Sequence, residues 1–289
     1  MALPNGEVAR FVYAYVFLQV VVCIMVTFQQ ISDWRWLGSE TKTPLRDGGF
    51  EYLPRLNSFD IPDFLVLSLF VSTMVCLTIS SKTMAQKMIF WRRIFWISGC
   101  LYLFRAFTFI STTLPPTKEC QPVVGKDIPE MLRIGGRMIF GIDKACTDNI
   151  YSGHTMMLTS CIMLWKIYCP NKPINTYVQI HALVGLVTIV ASRLHYTVDV
   201  ILSLFITYAM YSIYFFLVRI AMFSKFHCGI ELLECSHNDE YQRIAFTPEI
   251  VNRHLVPWIV WMDGLDLRWE EWNISESLPF YQPKRNLLY

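Results

Sequence analysis

Charge is scarce in this chain. Only 17% of its 289 residues are charged, the formal net charge is +2, and the basic residues gather into no stripe, which excludes a nucleic-acid partner. The nine cysteines include no C-x-x-C pair, so neither a zinc site nor a dense disulfide scaffold is expected. No ligand cluster suggests another metal, and no cofactor is expected. Repeats and low-complexity tracts are also missing.

Long hydrophobic runs fill the space that charge leaves. The composition is 54% hydrophobic, and a bilayer crossing takes about 20 mostly apolar residues per helix. Six candidate spans run at 8–30, 62–80, 93–113, 153–169, 174–192 and 197–223, with Arg105 as the internal charge. They are too long and too continuously apolar for the alternating strands of a barrel. The expected fold is all-α: a polytopic membrane protein built as a bundle of six transmembrane helices. The first run lacks a small-residue cleavage pattern and is expected to stay as the first helix. Three regions follow: an N-terminal helix and exoplasmic loop at 1–61, a catalytic membrane core at 62–223, and a cytoplasmic tail at 224–289.

Loop charge orients the bundle. The connection after the second span carries Lys82, Lys87, Arg92 and Arg93 without an acid, which predicts a cytoplasmic position for it. The loops 31–61 and 114–151 and the turn holding His195 then fall outside. The tail falls inside, where its Trp258, Trp261, Trp269 and Trp272 either lie against the bundle or headgroups or belong to an ordinary cytosolic extension. The sequon Asn273-Ile274-Ser275 is expected to stay unmodified there. Cys120 and Cys146 share the outer 114–151 loop, as a disulfide or as two free thiols.

Two polar motifs interrupt the apolar pattern. Ser152-Gly153-His154-Thr155 opens one span, with Ser152 placed as an N-cap and the following backbone N–H groups placed to bind an anion. His195-Tyr196-Thr197-Val198-Asp199 opens another, and its histidine and aspartate, four residues apart, share a helical face. Asp199 can then hold one imidazole nitrogen of His195 while the other attacks, the logic of an oriented nucleophile. Two crossings separate the motifs, so both return to the same face of the membrane. Ionisable groups at span ends are costly beside lipid, and the combination predicts phosphate chemistry at a bilayer surface.

These residues resemble a known family. The stretch Cys146 to Thr155, reading CTDNIYSGHT, is similar to the third motif of the sphingomyelin synthases; HYTVDV from His195 is similar to the fourth, and RAFTFISTTLP from Arg105 to the second. The likeness covers roughly 60–220 and places the chain in the sphingolipid synthase branch of the lipid phosphatase superfamily. Thr147 stands where the family usually has glycine, and Arg193 lies two residues before His195 where the superfamily has an arginine six before. The resemblance implies that His195, oriented by Asp199, attacks the phosphorus of a phospholipid donor such as phosphatidylcholine and becomes a phosphohistidine. His154 protonates the leaving diacylglycerol, then deprotonates the ceramide acceptor, giving sphingomyelin without a cofactor or metal. Arg105, Ser152, Gly153 and Arg193 are the candidates for substrate binding, with Arg133 and Arg137 open. It also implies a multi-pass protein of the Golgi, or of the plasma membrane or endoplasmic reticulum, with its active site on the lumenal face; a homodimer is left open.

Other readings share the residues. A phosphoethanolamine or phosphoinositol donor would use the same relay, and so would a lipid phosphate phosphatase with water as acceptor. A proton-coupled transporter is the non-enzymatic alternative, although transporter sites usually sit near the midplane and these residues sit at span ends.

Overall fold

A computed structural model describes residues 5–39, 43–57, 60–139, 142–143, 145–147, 150–226 and 254–267. The tail positions Trp269, Trp272 and Asn273 lie outside these residues. The described residues are helical, without strands. The long helices are α1 (Asn5–Leu37), α3 (Asp60–Ser80), α4 (Met84–Ser111), α6 (Gly153–Tyr168), α7 (Lys172–Ala191) and α8 (Thr197–Phe226). Shorter ones are α2 (Gly48–Tyr52), α5 (Ile128–Ile139) and α9 (Val256–Asp263).

Five of the six expected spans are long and apolar enough to cross a bilayer: α1, α3, α4, α7 and α8. Their outer faces are apolar; on α3, Phe64, Leu67, Val71, Val75 and Ile79 all point outward. Such faces suit lipid, which offers no backbone hydrogen bonds and so demands helices that satisfy their own. At 16 residues, α6 is shorter. A rise of 1.5 Å per residue gives it roughly 24 Å against a hydrocarbon core of about 30 Å.

The start of α4 departs from the expected connection. The apolar run begins near 93, but the helix begins at Met84, because a helix needs only hydrogen bonding and tolerates charge that finds partners inside the protein. Lys87, Arg92 and Arg93 therefore sit within α4 rather than in a loop, and of the basic cluster used to orient the bundle only Lys82 remains in the connection.

The chain forms two compact units. The first comprises Met1–Val16, Ser81–Ile97 and Tyr211–Tyr289, the second Phe17–Ser80 and Ser98–Met210. In the first, Arg92 is wholly buried and binds Glu7 and the Asp263 carbonyl, Arg93 binds the Asp263 carboxylate at 2.6 Å, and Arg10 binds Asp266. The Tyr214 hydroxyl adds a bond to Asp263 at 3.0 Å. Trp258 meets Trp96 edge-on, so this part of the tail lies against the helices rather than extending from them.

The second unit holds the motifs. Val66 and Leu69 of α3, Leu158 and Cys161 of α6, Val178, Ala182 and Ile189 of α7, and Val200 of α8 form one buried core. Gly185 permits the close approach of α6 and α7, because a Cβ there would stand 2.7 Å from Leu158 Cδ1. Cys120 and Cys146 are bonded, with Cα atoms 5.6 Å apart, and their loop contains α5 where the sequence pattern predicts a plain connection. Buried Asp33 accepts from the backbone N–H of Cys146 and Thr147 and from the Thr147 hydroxyl, at 3.2, 2.8 and 2.7 Å. That pins the chain a few residues before His154.

Candidate functional site

Both histidines stand beside helix starts, and a capping interaction sets each. Ser152 caps α6: its hydroxyl accepts from the Thr155 N–H at 3.2 Å, leaving His154 in the first turn. At α8 the Asp199 carboxylate accepts from the Tyr196 N–H at 3.0 Å, the reach-back of a capping box. Asp199 is thus held rigidly one turn beyond His195. The two starts are stitched together: the Ser203 hydroxyl donates to the Ser152 carbonyl at 2.7 Å, and the Ser152 N–H donates to the Asp199 carbonyl at 3.5 Å.

The rings of His154 and His195 come within 5.8 Å, centroid to centroid. The packing of α6 against α7 brings residue 195 back to the start of α6. His195 is 4% exposed and Asp199 is buried, whereas the His154 side chain is 34% exposed. One histidine is sheltered and the other open to an incoming molecule.

Backbone strain concentrates here. Among the described residues, the only non-glycine positions with positive φ are Tyr151, at 70°, and Arg193, at 59°. Each lies just ahead of a motif histidine, and left-handed backbone at a bulky residue persists only where its surroundings impose it. The two arginines supply that imposition. Arg105, buried within α4, donates from Nε to the Tyr151 carbonyl at 2.9 Å and lies over the Phe109 ring. Arg193 donates to the carbonyls of Phe50 and Leu53 at 2.5 and 3.1 Å and stacks on Phe50. Burial also pushes the Tyr151 phenol up, so it stays protonated.

The substrate-binding candidates therefore divide. Arg105 faces the α6 N-terminus, since its Nη1 would stand 2.9 Å from a Cβ on Gly153, which also explains glycine there. Arg193 is turned toward the α2 carbonyls. Arg133 and Arg137 are exposed on α5 beside Glu130 and Asp143.

Other residues of the site carry no motif signal. Asp47 accepts from the Thr197 N–H and hydroxyl at 2.8 and 2.6 Å and also caps α2, while the Tyr196 hydroxyl donates to the Pro115 carbonyl and accepts from the Leu45 N–H. Asp63, in the first turn of α3, places Oδ1 2.9 Å from Nε2 of His154. A proline-flanked aspartate at a helix start reads from sequence as a helix-end charge, and 91 residues separate it from its partner. Among the described residues no group of His, Cys, Asp and Glu could hold a metal ion.

Residues 145–216 match the family model described as PAP2 superfamily C-terminal. Mouse phosphatidylcholine:ceramide cholinephosphotransferase 2 is 31% identical over 213 residues, covering 68% of this chain and 55% of the relative. Human phosphatidylcholine:ceramide cholinephosphotransferase 1 is 31% identical over 209 residues, covering 66% and 49%. The chain thus spans about half the length of the curated relatives it matches. Residues 145–216 are thus similar to the PAP2 superfamily C-terminal family, in a chain similar over two thirds of its length to the phosphatidylcholine:ceramide cholinephosphotransferases.

Proposed function

We propose that this chain is a sphingolipid synthase, moving phosphocholine from phosphatidylcholine to ceramide in two displacements at His195. The observation that carries the reading is the 5.8 Å approach of two helix-start histidines, one sheltered and one open. In the first step a His195 ring nitrogen attacks phosphorus, the bond to the diacylglycerol oxygen breaks, and His154 gives that oxygen a proton. In the second, His154 takes the proton from the primary hydroxyl of ceramide as its oxygen attacks phosphorus and the N–P bond breaks. Asp199 holds the His195 ring and balances the charge it gains.

The phosphate is bound by the backbone N–H groups of Gly153 and His154 at the α6 N-terminus, with Arg105 alongside. Arg193 acts on the substrate indirectly, by holding the turn before His195. The catalytic core is the membrane segment 62–223, and its active face is lumenal, in the Golgi. The Cys120–Cys146 bond supports that face, because such bonds persist on the oxidising side of a membrane.

The test is purified protein in liposomes with labelled ceramide and, in turn, phosphatidylcholine, phosphatidylethanolamine or phosphatidylinositol. Labelled sphingomyelin from phosphatidylcholine is expected. A product from another donor would reassign the headgroup, and transfer of the phosphorylated headgroup to water alone would make the protein a phospholipase C-type hydrolase.

A further inference from the structure

The relay proposed above asks His154 to move a proton twice, yet its motif supplies no group to orient the ring. The structure places one from elsewhere. Asp63 Oδ1 lies 2.9 Å from His154 Nε2, and the two belong to helices packed along a shared seam. Val66, one turn beyond Asp63, and Leu158, one turn beyond His154, lie in the same buried core with Leu69 and Cys161. Further along, the Trp165 indole N–H donates to the Thr73 hydroxyl at 2.9 Å. The seam thus has an apolar middle and a hydrogen bond at each end, so the separation of Asp63 and His154 follows from the packing of α3 on α6.

The bland alternative is a surface ion pair that helps hold two helices. Its exposure argues otherwise: the Asp63 side chain is 60% accessible and that of His154 34%, and pairs in such surroundings contribute little to folding. What the contact does set is the tautomer. An ionised carboxylate can only accept, so the proton on His154 Nε2 points at Asp63 and Nδ1 is left for proton transfer. In the proposed relay Asp199 has the matching task for His195. The site then contains two imidazoles, each with its own carboxylate. One carboxylate is legible from an i,i+4 spacing, and the other is brought in by a different helix.

We infer that Asp63 is a positioning residue for His154, fixing its ring with Nε2 protonated so that Nδ1 serves as the acid for the departing diacylglycerol oxygen and the base for the acceptor hydroxyl. The inference rests on the proposed relay but not on its acceptor. In the first half-reaction the Nδ1 proton passes to the diacylglycerol oxygen as the P–O bond breaks and the His195 N–P bond forms. In the second, Nδ1 takes the acceptor's proton as the new O–P bond forms and the N–P bond breaks.

The wild-type chain and its Asp63→Asn and Asp63→Glu variants in phosphatidylcholine liposomes give the test, read as the initial rate of diacylglycerol release. Asparagine can turn its amide N–H toward the ring and favour the wrong tautomer, so kcat should fall about 100-fold with KM within about twofold, the scale of a lost acid–base group. Glutamate, which keeps the carboxylate, should recover activity to within about tenfold of wild type. With p-nitrophenyl phosphocholine, whose leaving group needs no proton, the Asp63→Asn burst of p-nitrophenolate should drop no more than about threefold. Equal losses on both donors, a change confined to KM, or an unaltered rate in Asp63→Asn would overturn the role. Diacylglycerol release reports on Asp63 whether ceramide or water finishes the reaction. Failure to label ceramide would therefore refute the proposed function and leave the positioning role to be judged on its own data.

Discussion

Both compact units bury charge in an apolar chain, but they use it differently. In the unit formed by 1–16, 81–97 and 211–289, arginines meet carboxylates: Arg92 with Glu7, Arg93 with Asp263, Arg10 with Asp266. In the other unit the carboxylate of Asp63 meets the His154 imidazole, and the buried Asp199 stands one turn beyond His195. Arginine holds its proton at any accessible pH, so its pairs are fixed struts; an imidazole exchanges a proton near neutrality, so its pairs can do chemistry. Buried charge alone does not mark a site here. The partner's ability to give up a proton does.

The contrast is broken most severely by variants on the imidazole side. His195→Ala should abolish transfer, and Asp199→Asn should lower kcat by about 10⁴-fold, with melting temperatures close to wild type. Steady-state kinetics alongside thermal unfolding checks both; normal turnover in His195→Ala would end its assignment as nucleophile.

Variants on the arginine side should show the opposite pattern. Arg92→Ala leaves Glu7 buried without its arginine and should cost about 3–5 kcal/mol of stability, while kcat per folded molecule stays unchanged. A kcat loss at full stability would mean that the struts take part in catalysis. Next in size is the outer loop: Cys120→Ser with Cys146→Ser should remove about 3 kcal/mol by freeing the loop closed between them. Smallest is Ser152→Ala, which deletes the α6 cap and should cost about 1 kcal/mol, with a modest rise in KM for the phospholipid if the helix start binds phosphate.

The imidazole side was far more legible in sequence than the arginine side. His154, His195 and Asp199 sit in short motifs whose spacing reports a helix start and a shared face. Hydrophobic runs located all six long helices, because lipid imposes a long apolar pattern. What escaped was long-range. Arg92 and Arg93 read as loop charge because their partners, Glu7 and Asp263, lie far away along the chain. Asp63 escaped for the same reason. Arg193, a candidate by its position beside His195, donates to the carbonyls of Phe50 and Leu53 near α2, and no local pattern announces those partners. Helix α5 was hidden because its amphipathic, charge-bearing sequence resembles a connection when only spans are sought.

The central claim is a covalent intermediate on the sheltered histidine. Protein incubated with phosphatidylcholine labelled in its headgroup, without ceramide, then quenched under conditions that preserve phosphohistidine and mapped by peptide mass spectrometry, tests it directly. The label should sit on the peptide containing His195, vanish in His195→Ala, and be discharged when ceramide is added. Label on His154, or undiminished transfer with no labelled histidine, would contradict the account.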